Sequence, residues 1–216
     1  MKPSGLLVMF ALLIVSGCAS LPETLKARRV EPGETATLKQ DEILIFGRIL
    51  FTESGKFKVP YGLGKPVWQL ASPEADPALG EQSKKRKILP FLSTRKDGVF
   101  AYVIPAGRYE MNHVEPLGYL PHIDPALEFD ANEPGLAYYL GDLEVDFDAS
   151  IWLEGLWGNY ITRLNHLDVR DRFDETSAQF KGTLPGSAPS RKGLLSRIHG
   201  RIPHLKEQFI PPIIHK

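Results

Sequence analysis

Two histidines of the chain each precede an aspartate by two positions, His122 before Asp124 and His166 before Asp168. An imidazole beside a carboxylate can transfer protons, and it can also bind a transition metal. Neither pair belongs to an H-E-x-x-H motif, so a site requires the two pairs to meet in the fold. If they meet in a cleft, the sequence allows a hydrolase or metal-dependent enzyme built on loops. If they stay apart, they are ordinary surface residues.

A row of alternating carboxylates is the second candidate site, formed by Asp142, Glu144, Asp146 and Asp148. Ca²⁺ takes about six to eight oxygen ligands, but the row lacks the glycine turn of a D-x-D-x-D-G loop. Alternate residues of a strand lie about 6.6 Å apart on one face, so these carboxylates spread out rather than converge. The pattern therefore predicts the wet face of a half-buried strand, and no metal or other cofactor is expected.

The chain has one cysteine, Cys18, and no G-x-S-x-G motif for a catalytic serine. Cys18 directly follows residues 1–17, which begin with Lys2, continue through an apolar run over residues 6–15 and end in two small residues. This order is typical of a secretory signal peptide. The run is shorter than the roughly 20 apolar residues that a membrane-spanning helix needs. Residues 1–17 are therefore predicted to direct export.

The sequence Val15-Ser16-Gly17-Cys18 resembles the lipobox of bacterial lipoproteins. The resemblance implies that the Cys18 thiol receives a diacylglycerol, that the preceding peptide is removed and that the new amino terminus is acylated. One acyl chain binds a membrane weakly, whereas two or more anchor a protein stably. Ala19 after the cysteine resembles the sorting signal for the outer membrane. The expected location is the bacterial cell envelope, on the outer membrane and facing the periplasm.

Residues 18–40 are polar, and Pro22, Pro32 and Gly33 interrupt any periodic pattern. They predict a lipidated tether. Residues 41–182 predict a β-rich domain, because the chain has 18 prolines and 19 glycines and few long helical patterns. With Cys18 lipidated, this domain holds no disulfide. The 26 basic residues balance the 26 acidic ones, so no nucleic acid partner is expected.

The centre of the chain has the clearest strand pattern. Gly98–Pro105 is continuously apolar, as in a strand buried on both faces, and Arg108–Glu115 alternates. The intervening Ala106 and Gly107 predict a hairpin turn, with Gly107 able to take a positive φ. A short helix is predicted over residues 171–180, capped by Asp171 or Asp174. Further strands are predicted over residues 42–52, 66–71, 87–93, 136–147 and 166–172.

The strand and turn sequence Phe100–Met111, followed by Glu133–Gly135 and Tyr138–Leu143, resembles prealbumin-like and carboxypeptidase-regulatory-like β-sandwich domains. Small bacterial lipoproteins often carry such domains. The resemblance covers roughly residues 42–180 and implies an all-β, antiparallel sandwich of prealbumin or immunoglobulin type with a short C-terminal helix. It implies no activity, because these motif residues form turns and core.

Residues 183–216 predict a basic C-terminal extension. Its apolar residues include the helically spaced Leu194, Leu195 and Ile198 and the segment 209–214. Two interpretations stay open: the extension docks a partner protein or an anionic surface, or its apolar residues fold back over the sandwich. The candidate partner-binding residues are Arg191, Lys192, Arg197 and Arg201.

These observations predict a lipid-anchored protein without enzymatic activity that acts as a binding or accessory subunit of an envelope complex. Its expected partners are the membrane, through the lipid on Cys18, and an envelope protein; the oligomeric state is open. Besides the hydrolase or metal enzyme, a further alternative is a solitary binder of a small or lipidic ligand between the sheets. Its lining would be aromatic residues that otherwise form ordinary core, Trp68, Trp152, Trp157 and Tyr160.

Overall fold

The computed structural model describes residues 23–31, 33–53, 56–57, 67–72, 87–116, 119–120, 122–152, 158–180 and 190–206. Over these ranges the chain forms two packed β-sheets and one short helix, which confirms the predicted all-β sandwich. Residues 1–17 and Cys18 lie outside them. No helix in the described ranges is both long enough and apolar enough to cross a membrane.

Sheet I contains three long strands, β3 (Glu42–Glu53), β13 (Ala137–Trp152) and β14 (Gly158–Arg170). β13 and β14 are antiparallel, whereas β3 and β13 are parallel, so the sheet is mixed rather than purely antiparallel. The complete order is β10 (Tyr119–Leu120), β14, β13, β3, β8 (Val99–Pro105) and β2 (Arg28–Arg29), with β4 (Lys56–Phe57) on β3 and β15 (Ser190–Lys192) on β13. A parallel pair needs a long connection, and here the chain passes through the other sheet between β3 and β13.

Sheet II packs against sheet I. Its order is β1 (Glu23–Thr24), β6 (Lys87–Ile88), β5 (Val67–Ala71), β9 (Gly107–Glu115), β11 (His122–Asp124) and β17 (His204–Lys206). Three short strands complete it: β12 (Leu127–Ala131) pairs with β9 and with β16 (Ser196–Arg197), and β7 (Leu92–Ser93) pairs with β5. The predicted strand over residues 87–93 is thus two strands on either side of Pro90.

The predicted hairpin between β8 and β9 is wrong, because the two strands belong to different sheets. β8 pairs with β3 and β2, and β9 pairs with β5, β11 and β12. The turn at Ala106 therefore carries the chain from one sheet to the other. Gly107 is the first residue of β9, opposite Ala131, and does not have a positive φ. β8 is apolar on both faces because its two faces contribute to two different cores.

The main core lies between the sheets. Trp68 is fully buried there, with its ring centroid 4.7 Å from that of Phe100. A second core covers the outer face of sheet I, where Phe46 and Tyr139 pack against helix α1 (Phe173–Gln179) and Phe180. The helix lies within the predicted range 171–180. Its position over sheet I decides which side chains of β13 are exposed.

Both ends of the described chain pack on the sandwich. Val30 and Ala36, in the predicted tether, are each only 3% exposed, and β1 and β2 pair with strands of the two sheets. Leu195, in the predicted extension, is 5% exposed and belongs to the main core. The sandwich therefore uses residues from 23 to 206, a wider span than the 41–182 expected from the sequence, because the flanking segments add edge strands.

Candidate functional site

The two histidine–aspartate pairs lie on opposite outer faces of the sandwich. His122 and Asp124 flank the core residue Ile123 in sheet II, and His166 and Asp168 flank the core residue Leu167 in sheet I. The core therefore separates the pairs. Across the ranges that the structure describes, no group of three or more His, Cys, Asp or Glu side chains is placed to hold a metal ion.

The expectation of a wet acidic row is wrong for Asp142, which is fully buried. Its Oδ2 accepts hydrogen bonds from Arg48 Nε at 3.0 Å and Nη2 at 2.7 Å, and its Oδ1 accepts from the Tyr139 and Thr176 hydroxyls, each at 3.0 Å. Burial is the main reason why the pKa of Tyr139 rises to about 12. Asp142 is buried because α1 covers this part of sheet I and the parallel register brings Arg48 beside it. With both oxygens occupied, the carboxylate joins the helix to the sheet.

The other three carboxylates of the row are paired at the surface of sheet I. Glu144 accepts hydrogen bonds from Arg170 at 2.9 Å and Arg172 at 2.6 Å. Asp146 accepts one from the Thr52 hydroxyl, and Asp148 accepts one from the Asn165 amide. The row is therefore distributed among separate partners.

A different cluster forms where β9 and β11 lie side by side on the outer face of sheet II. The rings of His113 and His122 are in contact in a tilted arrangement, with centroids 4.2 Å apart and an interplanar angle of 31°. His113 Nε2 lies 3.3 Å from Glu115 Oε2, and a neutral imidazole that carries its hydrogen on Nε2 donates a hydrogen bond to the carboxylate there. Phe91, which is 59% exposed, sits edge-on to His113 at 4.9 Å. We call Phe91, His113 and His122 the aromatic patch.

Burial shifts the pKa values of the titratable side chains in this cluster. It lowers the pKa of His113 from 6.5 to about 4, with a further contribution from the positive charge of Lys206. Burial likewise lowers the pKa of His122 and raises that of Glu115. His122 Nδ1 is buried and has no hydrogen-bond partner within the described chain. Both imidazoles are therefore neutral near pH 7, and the patch presents uncharged rings.

The remainder of this face is occupied by ion pairs. Arg201 contacts Asp124 and Glu110, each at 3.1 Å, and Lys206 lies 3.4 Å from Asp124. Asp124 is thereby paired with two cations. The aromatic patch borders this charged region, and its rings can take up an apolar or aromatic side chain by stacking.

Each of the four basic residues predicted to bind a partner contacts other residues of the described chain. Arg191 pairs with Glu133, and Lys192 lies 2.7 Å from Asp171 and 5.5 Å from the ring of Phe173. Arg197 donates to backbone carbonyls and Arg201 pairs as given above. The side chains of Arg191 and Lys192 are about half exposed, at 52% and 51%. Binding of a partner by these residues stays a prediction.

The aromatic residues proposed to line a ligand site between the sheets are only partly described. Trp68 packs in the main core against Phe100 and Tyr102, as an ordinary core residue does. Trp157 lies outside the described residues, Trp152 is the last residue of β13, and Tyr160 lies in β14.

Sequence reasoning missed the aromatic patch because its members are far apart along the chain. The available signal was that His113 and Glu115 alternate with the apolar residues of β9 and so share one face. No local sequence pattern indicates that β11 lies beside β9, with Ile123 opposite Val114.

No protein-family model, curated protein or solved structure gives a significant match to this chain.

Proposed function

We propose that this protein is a lipid-anchored component of the bacterial cell envelope that acts by binding another envelope protein. The lipobox-like sequence at Cys18 supports the anchor, since it follows a signal-like segment and holds the chain's one thiol. The proposed location is the outer membrane, with the sandwich facing the periplasm. A relationship of this domain to prealbumin-like domains also remains a proposal, with which the β-sandwich fold is consistent.

The observation that carries the binding role is the aromatic patch. Among the described residues, Phe91 is one of two exposed large hydrophobic side chains. Its ring contacts that of His113, which in turn contacts the ring of His122. Exposed aromatic residues with support from neighbouring rings are typical anchors of protein interfaces. Two neutral imidazoles beside a phenyl ring suit an apolar or aromatic segment of a partner better than a charged one.

Crosslinking and co-purification of the acylated protein from detergent-solubilised membranes test this function. We expect the parent chain to retain a stoichiometric envelope protein and Phe91→Ala to lose most of it. Ile202→Ala is the matched control, because Ile202 is also a large exposed hydrophobic residue, at 79%. Equal recovery of the partner with both variants would exclude the aromatic patch as the binding surface.

The anchor is tested in the same membranes. Cys18→Ser is expected to release the protein into the soluble fraction and to abolish acyl labelling, because only a thiol forms the thioether. If the variant stays bound to membranes as the parent does, the protein is not held by this lipid.

A further inference from the structure

The first described strand begins very close to the proposed lipid site. β1 starts at Glu23, five residues after Cys18. A fully extended chain spans about 3.3–3.6 Å per residue, so the Cα atom of Glu23 lies within about 18 Å of that of Cys18. The polar head groups of one leaflet occupy about 5–8 Å of this reach. The end of the sandwich that holds β1 is therefore held within about 10–13 Å of the lipid surface.

The strand register identifies that end. Glu23 lies opposite Lys87, and the next residue of β6, Ile88, lies opposite Ala71 of β5. Ala71 in turn lies opposite Glu110, near the start of β9. The same end of the sandwich holds the turn at Ala106, the turn at residues 39–41 before β3 and the turn at residues 132–135 before β13. We call this group of turns, together with β1, the anchor end.

The opposite end points away from these turns. β8 begins there, after the turn at residues 95–98, and its seven residues span about 23 Å. β13 starts at the anchor end and has 16 residues, or about 50 Å of strand; it pairs with β14 from Asp142, opposite Arg170, to Trp152, opposite Gly158. Asp142 lies beside Arg48, which lies opposite Val99 at the start of β8. The β13–β14 pair therefore begins level with the turn at residues 95–98 and extends from there away from the anchor end.

We propose that the acylated protein stands end-on on the bilayer, with the anchor end at the phospholipid head groups and the β13–β14 pair directed away from the membrane. Its turns expose the polar residues Lys39, Gln40, Asp41, Asn132 and Glu133, which suits contact with head groups rather than insertion. His113 of the aromatic patch lies six residues along β9 from Gly107, or about 20 Å from the lipid-facing turns. This orientation leaves the patch free for a protein partner.

This inference rests on the proposed lipidation, so the experiment is designed to test the orientation separately from the lipid anchor. A single cysteine is introduced at Gln40 in the anchor end or at Lys96 in the opposite turn; both positions are exposed. Because Cys18 is the chain's one natural thiol and is blocked when acylated, each variant carries one free thiol for a donor dye. Energy transfer is measured to an acceptor lipid in phosphatidylethanolamine–phosphatidylglycerol vesicles. We expect clearly higher transfer from position 40 than from position 96.

Equal or reversed transfer from acylated, vesicle-bound protein would overturn the orientation while leaving the anchor intact. Absence of acylation or of binding to vesicles would overturn the anchor and the orientation together. Insertion of about twelve Gly and Ser residues between Ser20 and Leu21 adds a flexible span of about 20 Å and is expected to bring the two efficiencies closer. An unchanged difference would show that the short connection does not orient the domain.

Discussion

Arg48 and Asp142 lie opposite one another on the parallel strands β3 and β13, with Nη2 of the arginine 2.7 Å from Oδ2 of the aspartate. Asp142 is fully buried and the Arg48 side chain is 18% exposed. The same carboxylate accepts a hydrogen bond from the hydroxyl of Thr176 in helix α1, so the pair links the helix to the middle of sheet I.

Removing the carboxylate should be strongly destabilising. Asp142→Ala leaves the Arg48 guanidinium largely buried without its counter-ion, and we expect the free energy of unfolding to fall by about 3–5 kcal/mol. Glu133→Gln is the control, because the Glu133–Arg191 pair is about half exposed and should contribute no more than about 1 kcal/mol. Urea denaturation of both variants measures the difference. Similar midpoints for the two would contradict the structural role of Asp142.

His113 should make the free energy of unfolding decrease at acid pH. The pKa of His113 is about 4 when folded and near its ordinary 6.5 when unfolded. Between these values the unfolded chain binds the proton more readily, so the free energy of unfolding should fall as pH decreases from about 6.5 towards 4. His113→Phe should flatten this decrease and His199→Gln, at an exposed histidine, should not. Denaturation at several pH values measures the free energy of unfolding of each variant. An equally steep decrease in the parent and in His113→Phe would contradict this role of His113.

Substitution of three glycines by alanine should reduce stability to different extents. Gly141 has a φ of +97°, and an added Cβ would lie 2.6 Å from Cγ1 of Val169, so Gly141→Ala should cost about 2–4 kcal/mol. Gly107 lacks a positive φ and has space for a Cβ, so Gly107→Ala should change stability little. Gly135→Ala, with a φ of +78° and open space, should cost about 1 kcal/mol from the backbone alone. Thermal unfolding ranks the three; a large effect at Gly107 would contradict the strand assignment there.

The C-terminal segment should be needed for folding. Leu195→Ala removes a core side chain and should cost about 2–5 kcal/mol, whereas Ile202→Ala, at an exposed residue, should cost little. Urea denaturation compares the two variants. Equal stability of both would mean that Leu195 does not contribute to the core. A chain that ends at Gly186 lacks β15, β16 and β17, so loss of a partner from that chain would not identify a docking surface.

The sequence by itself determined most of the secondary structure. The continuous apolar run of β8, the alternation around Leu143 and Val145, and the short helix after β14 were all visible, because each depends on a local pattern of burial. The signal peptide and the lipid site at Cys18 also come from local sequence, and they stay predictions.

Only the tertiary structure decided which strands are neighbours, and this set the environment of each polar group. The sequence pattern of β8 and β9 is compatible with a hairpin and also with a crossing from one sheet to the other. The sequence pattern around Asp142 predicts a solvent-exposed side chain, and only the positions of β3 and α1 beside it show that the side chain is buried. The rings of His113 and His122 are in contact because β9 and β11 are adjacent. These outcomes depend on contacts between distant parts of the chain, which local periodicity does not encode.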